Sequence, residues 1–352
     1  MRIAAVDTVV PDHRYSQAEL TEAFARLSSA DHGLLRRFHE ATQITGRSLA
    51  LPLEDYERLD GFTAANDQYV THALDLAERA VKEALARSGT APEQIDHLVW
   101  CSSTGVATPS LDARLAQRVG LRPDVKRVPV FGLGCAGGAA GLARMNDLLL
   151  GHPLQAGLVV CVELCSLTVQ REDTSVANLV ASGLFGDGAG AVVAWGDERS
   201  PTTPDQAVGP SVIATRSRLY PDTERIMGWE VGEHGFRIVL AADLVELVEA
   251  ELAGDVTGFL ADHGLSPAEV TSWVCHPGGP KVIEAIDHVL SLRPGALDLT
   301  WHSLQAIGNL SSVSVLNVLQ ETIARRPGEP GEHGLLMALG PGFSAELVLL
   351  RW

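Results

Sequence analysis

Apolar positions along the chain change their period repeatedly, and each change marks an element. Ser16-Gln17-Ala18-Glu19 has capping-box spacing and opens a helical pattern that runs to about Ser29. A second helix, with several arginines, follows to about Glu40, and Gly46 to Tyr56 reads as an extended excursion. Asn66 to Arg87 keeps apolar residues at helical spacing and is closed by Gly89. Short apolar runs then predict strands over His97 to Ser102, Val128 to Leu133, Gly157 to Leu164 and Gly190 to Trp195. Between them lie a helix from about Pro109, a small-residue helix from Ala136 to Leu150, and one ending near Ser182.

Gly196 to Asp205 is polar and contains proline, which makes it the expected boundary between domains at 1–200 and 201–352. Beyond it the pattern predicts a strand near Ser211 to Ser217, a helix from Ala242 to about His263 interrupted by Gly254, and a strand over Ser272 to Cys275. Strands alternating with helices predict an α/β layered fold.

The two halves repeat one order. A strand ends at Ser102, Gly134-Cys135 opens a helix, and the glycine-rich run Phe185 to Gly190 follows. In the second half a strand ends at Cys275, Gly308-Asn309 opens a helix, and Leu339-Gly340-Pro341-Gly342-Phe343 follows. Two copies of one α/β unit about a pseudo-dyad would set the helix after Cys135 against the helix after Asn309.

Bulk properties narrow the function. Apolar residues make up 46% of 352 and the net charge is −17, so the chain is globular and repels phosphate backbones and anionic lipid. No nucleic-acid or membrane role is expected. Without a long apolar run or a leader-like N-terminus, a cytoplasmic protein is expected. The five cysteines are an odd count in apolar settings, so free thiols are expected. Cys161 and Cys165 lie in a core-like strand with no matching Cys/His pair, so no metal site is expected.

Three residues carry candidate chemistry. Cys135 stands where a strand turns into a helix, and a helix N-terminus favours a thiolate. His276 follows a strand and precedes Pro277-Gly278-Gly279, and Asn309 sits in Gly308-Asn309-Leu310-Ser311-Ser312. Singly, they read equally as a buried thiol, a satisfied structural imidazole and a helix N-cap. Together they occupy equivalent places in the two half-repeats, each beside glycine.

Val128 to Leu142, Gly183 to Ala189, Val274 to Pro280, Gly308 to Ser312 and Gly340 to Phe343 resemble the signatures of type III polyketide synthases, the chalcone-synthase-like branch of the thiolase superfamily. The resemblance implies a duplicated αβαβα layered fold and a Cys135, His276, Asn309 triad. In it Cys135 takes an acyl group from acyl-CoA, and His276 with Asn309 stabilises the enolate formed when malonyl-CoA loses carbon dioxide. CoA thioesters are then substrates, no cofactor is needed, and a homodimer is implied, a residue near Thr108 reaching the partner's cavity. Phe185 matches the family's gatekeeping phenylalanine and Phe236 a second one, unless it only packs the core. Gly340, Pro341 and Gly342 should form a rigid loop on the cavity floor, with Leu339 where the plant pattern has phenylalanine. Arg36, Arg37 and Lys281 fall at positions resembling the CoA entrance, although a solvated helix face also accounts for the arginines.

Ser103, Thr108, Cys165 and Thr168 fall where family members vary their pocket, and all four are small. Tetrahydroxynaphthalene synthases usually carry cysteine at the position of Ser103, so the expected product is an alkylresorcinol or pyrone from a fatty acyl-CoA starter and malonyl-CoA or methylmalonyl-CoA. The alternatives are a malonyl-only tetrahydroxynaphthalene-type synthase, a ketoacyl-ACP synthase III-like single condensation, and a silent thiolase-fold partner subunit.

Overall fold

The computed structural model describes residues 1–200 and 209–352, so the part of the expected boundary from Pro201 to Asp205 lies outside the described residues. The first half contains strands β1 (Arg2–Val9), β2 (His13–Ser16), β3 (Gly46–Leu49), β4 (His97–Cys101), β5 (Lys126–Val130), β6 (Ala156–Leu164) and β7 (Asp187–Trp195). Its helices are α1 (Gln17–Leu27), α2 (His32–Ala41), α3 (Gly61–Ser88), α4 (Leu111–Val119), α5 (Gly137–Leu150) and α6 (Val176–Leu184). The second half has β8 (Ser211–Leu219), β9 (Met227–Gly232), β10 (Gly235–Leu240), β11 (Val270–Cys275), β12 (His333–Gly340) and β13 (Ser344–Arg351). With them come α7 (Leu244–Ala261), α8 (Pro280–Leu290), α9 (Asp298–Ile307) and α10 (Ser314–Arg325).

Nine strands pair in the order β11-β12-β13-β8-β1-β7-β6-β4-β5. In the first half β4 and β6 are parallel, while β6–β7 and β7–β1 are antiparallel. The second half copies this: β11 and β12 are parallel, β12–β13 and β13–β8 antiparallel. A single register pair, Arg2 with Ser211, joins β1 to β8 at the seam. The repeated pairing is the structural form of the repeated order in the sequence.

Helices fill three layers. The apolar faces of α3 and α4 pack with Leu98, Trp100, Leu158 and Val160, while α7 and α8 pack with Trp273, Leu335 and Leu347. Between them Ala139, Leu142 and Ala143 of α5 share a core with Val315, Leu316 and Leu319 of α10. Every residue of β6 is buried, as a strand covered on both faces requires.

Small residues in α5 are there for close approach. A Cβ on Gly138 would lie 2.3 Å from the Ser312 carbonyl oxygen, and one on Gly141 would lie 2.9 Å from Val159. The capping box is formed, the Ser16 N–H donating to Glu19 Oε2 at 2.8 Å. Three boundaries differ from expectation. The helix α3 begins at Gly61, β5 leaves the sheet after Val130, and α7 runs through Gly254 because Leu252 and Val256 anchor both sides in the core. Strand β1, which the hydropathy pattern did not single out, occupies the centre of the sheet.

Among the described residues no helix is long and apolar enough to cross a membrane, and no cluster of three or more His, Cys, Asp or Glu side chains could hold a metal ion. All five cysteines are free and buried.

Candidate active site

Cys135 sits on the one-turn 3-10 segment Gly134–Ala136, immediately ahead of α5, and is buried. The turn is gripped by neighbours. Gly134 has φ 45 and donates its N–H to Ser103 Oγ at 3.0 Å. A Cβ on Gly134 would lie 2.9 Å from the Pro341 ring, and one on Gly340 would lie 2.6 Å from the Ala136 nitrogen and the Leu133 oxygen. Gly340 and Pro341 therefore pack directly against the turn that carries Cys135. Gly342, at φ 144, ends the same loop.

Asn309 is placed by the backbone. Its N–H donates to the Leu184 carbonyl at 3.0 Å, and its carbonyl accepts the Gly186 N–H at 2.9 Å, bridging it to Phe185. The Asn309 side-chain Oδ1 accepts the Ser311 N–H at 2.8 Å, a local turn that asparagine readily makes. The Nδ2 group is the remaining donor: it makes a long 3.4 Å contact to the Gly278 carbonyl and stands close enough to Cys135 to favour the thiol's anion.

His276 immediately follows β11, and its N–H donates to the Met337 carbonyl at 2.9 Å. Its carbonyl accepts the Gly278 N–H, so His276 and Asn309 meet the same short glycine loop. The ring is buried, and neither ring nitrogen has a hydrogen-bond partner among the described residues.

Burial governs the charges. It pushes the Cys135 thiol up to about 12, outweighing the Ser311 and Asn309 side chains that favour its anion. This corrects the expectation of a thiol lowered by the helix start, because the cost of desolvation exceeds the helix-end effect. Burial also lowers His276 to about 3, so its imidazole is neutral.

Below the turn lies a group the sequence reading did not single out. The fully buried Glu163 accepts the Ser103 N–H at 3.0 Å and the Thr104 hydroxyl at 2.9 Å on Oε2, and the Ser312 hydroxyl at 2.7 Å on Oε1. Burial raises its carboxyl to about 7 despite these donors. A lone acid inside the apolar run Val159 to Leu164 was the available signal.

A cavity of about 930 Å³ adjoins this centre. Cys165, Thr168 and Phe185 are among its lining residues. Cys135, His276 and Asn309 are joined to it through two of these liners, Phe185 being bridged to Asn309 and Cys165 lying within electrostatic reach of Cys135. Other expected liners are elsewhere. Ser103 has its Oγ on the Gly134 N–H, and Thr108 is exposed outside its own chain's cavity. Phe236 packs against Phe62, Phe131 and Trp229 with ring centroids 5.4, 6.2 and 6.0 Å away, while the next residues of β10, Arg237 and Ile238, line the cavity. Arg36, Arg37 and Lys281 are exposed and do not line it. The cavity also contains a cation the sequence reading passed over, Arg47.

Comparison with known proteins agrees with this layout. The chalcone and stilbene synthase N-terminal domain matches residues 1–198, and the C-terminal domain of the same family matches 211–352. A 1,3,6,8-tetrahydroxynaphthalene synthase of Streptomyces peucetius is 54% identical, the match covering 99% of this chain and 93% of that protein. The synthase of the same name from Streptomyces coelicolor is 31% identical over 97% of this chain and 90% of its own. A crystal structure of the Streptomyces coelicolor enzyme superposes with a TM-score of 0.93 at 29% identity, covering 100% of this chain and 99% of that one. The C-terminal type III polyketide synthase domain of Steely1 from Dictyostelium gives 0.91 at 26% identity, over 99% and 98%. With both halves matched in order on a thiolase-like fold, the chain belongs to the chalcone and stilbene synthase family and is a type III polyketide synthase.

Proposed function

We propose that the chain is a tetrahydroxynaphthalene-type synthase that uses malonyl-CoA as both starter and extender. The observation that carries this reading is the 54% identity, across 99% of the chain, to a protein of that name. Enzymes of this family act on CoA thioesters, need no further cofactor and are typically homodimers. The expectation of a fatty acyl starter leaned on Ser103 standing where such synthases usually carry cysteine. The 54% identity over nearly the whole chain outweighs that single position, whose hydroxyl accepts the Gly134 N–H beside Cys135.

In this reading Cys135 attacks the thioester carbonyl of the starter. Neutral His276 takes the thiol proton as the carbon–sulfur bond forms, and the CoA thiolate leaves with that proton. A second malonyl thioester then places its carbonyl oxygen between His276 and Asn309. The Asn309 Nδ2 group is oriented for this because Oδ1 is already held by the Ser311 N–H. As carbon dioxide leaves, negative charge gathers on that oxygen, and the two donors stabilise it in a water-poor site. The enolate carbon attacks the thioester carried by Cys135 and displaces its sulfur. The lengthened chain returns to Cys135 for the next round, and the full-length chain cyclises in the cavity.

Malonyl-CoA supplied alone, with the products analysed by mass spectrometry, tests the reading. A tetrahydroxynaphthalene, or the quinone it oxidises to, supports it. A second reading, a fatty acyl starter extended to a pyrone or resorcinol, draws on the apolar cavity wall formed by Leu20, Phe24, Leu27, Leu49 and Leu53. Products that form only when a long acyl-CoA is added would establish that reading in place of the first.

A further inference from the structure

Arg47, on β3, is 3% exposed and lines the cavity. Its Nε donates to Gln17 Oε1 at 3.1 Å and its Nη1 to the Phe185 carbonyl. Nη2 has no hydrogen-bond partner among the described residues, yet it is not among the side-chain atoms sealed away from all open space. Asp187, the acid with the largest electrostatic effect on it, has its oxygens on the Ala50 N–H, the Ser166 N–H and the Ser166 hydroxyl.

Burial lowers the guanidinium only to about 10, so Arg47 is a cation at neutral pH. Asp187 acts on that charge only through space, without a hydrogen bond to Arg47 among the described residues, so a bound anion would offset the remaining cost of burying it. The other cavity arginines are engaged. Arg171 donates to the Glu57 and Leu59 carbonyls, and Arg237 is paired with Glu230. Arg47 is also close to the chemistry: the Phe185 carbonyl it holds belongs to the segment bridged to Asn309, and Cys165 is within electrostatic reach of both Arg47 and Cys135.

We propose that Arg47 binds the carboxylate at the far end of an acyl chain carried by Cys135, so that carboxylate-ended CoA thioesters are the preferred starters. A guanidinium suits this task because its fork of N–H donors matches a carboxylate. The inference deepens the malonyl-starter reading and rests on it for the physiological substrate.

The test uses glutaryl-CoA and hexanoyl-CoA, two starters of similar length that differ in the terminal carboxylate and cannot decarboxylate as malonyl-CoA does. Acylation of Cys135 is followed by intact-protein mass. The wild type should react with glutaryl-CoA about tenfold faster or more, and Arg47→Gln should lower the glutaryl-to-hexanoyl ratio by about tenfold, with Arg47→Lys between them. The ratio cancels any loss of folded protein. A wild-type ratio of one or below overturns the proposal without recourse to a variant, and so does an Arg47→Gln ratio equal to the wild type's. If the wild type prefers glutaryl-CoA but makes no naphthol from malonyl-CoA alone, the product reading fails while the role of Arg47 stands.

Discussion

Glu163 accepts the Ser312 hydroxyl at 2.7 Å, and through that bond a strand of the first half holds the turn that leads into the inner helix of the second. The same carboxyl holds the Ser103 N–H, and the Ser103 hydroxyl holds the Gly134 N–H beside Cys135. One buried acid thus ties together the segments that carry Cys135 and Asn309.

That acid makes stability depend on pH in a definite direction. Its carboxyl rises from 4.5 to about 7 on folding, so the folded state binds the extra proton between those values. Stability from this group is therefore full below about pH 4.5 and falls as pH rises toward 7, by on the order of 3 kcal/mol. His39 and His276, lowered from 6.5 to about 3, act oppositely and add stability as pH rises from about 3 to 6.5. Glu163→Gln removes only the first contribution. Denaturant unfolding at a series of pH values should show the wild type losing stability relative to Glu163→Gln between about pH 4.5 and 7, and parallel curves would refute the assignment.

Asn309 and His276 should separate by the step they serve. In the proposed mechanism Asn309→Ala removes an enolate donor, so condensation should drop about 100- to 1,000-fold. Acylation of Cys135 should fall far less. In the same mechanism His276→Gln removes the group proposed to take the thiol proton, so acylation itself should slow by about 100- to 10,000-fold. Single-turnover acylation and carbon dioxide release, measured on each variant, check the split; equal losses in both steps for Asn309→Ala would count against its role.

Gly138→Ala tests the contact between α5 and the turn ahead of α10. The added methyl would sit 2.3 Å from the Ser312 carbonyl oxygen, backbone that cannot swing aside. Overpacking of this kind costs about 1–3 kcal/mol. Thermal or urea unfolding should show the loss, whereas Gly254→Ala, on α7 with open space around its Cβ, should be neutral or stabilising.

Much of this architecture was legible in the sequence for physical reasons. The runs at Leu98, Val159 and Val274 are mostly apolar because helices cover both faces of those strands. Cys135, His276 and Asn309 stood out because each sits at an element end beside glycine. The partners of Glu163 were not legible, since Ser103 and Ser312 lie 60 and 149 residues away from it. Phe236 was misread because neighbouring residues of a strand face opposite sides, so an uncertain register reassigns the liner to Arg237 or Ile238. Arg36 and Arg37 illustrate a further limit, because an exposed helix face and a phosphate site share one composition.

The most direct test of the account is the intact mass of the protein after exposure to acyl-CoA. The account predicts a single acyl adduct that maps to Cys135 and disappears in Cys135→Ala together with all carbon–carbon bond formation. An adduct on another residue, or undiminished condensation by Cys135→Ala, would contradict it.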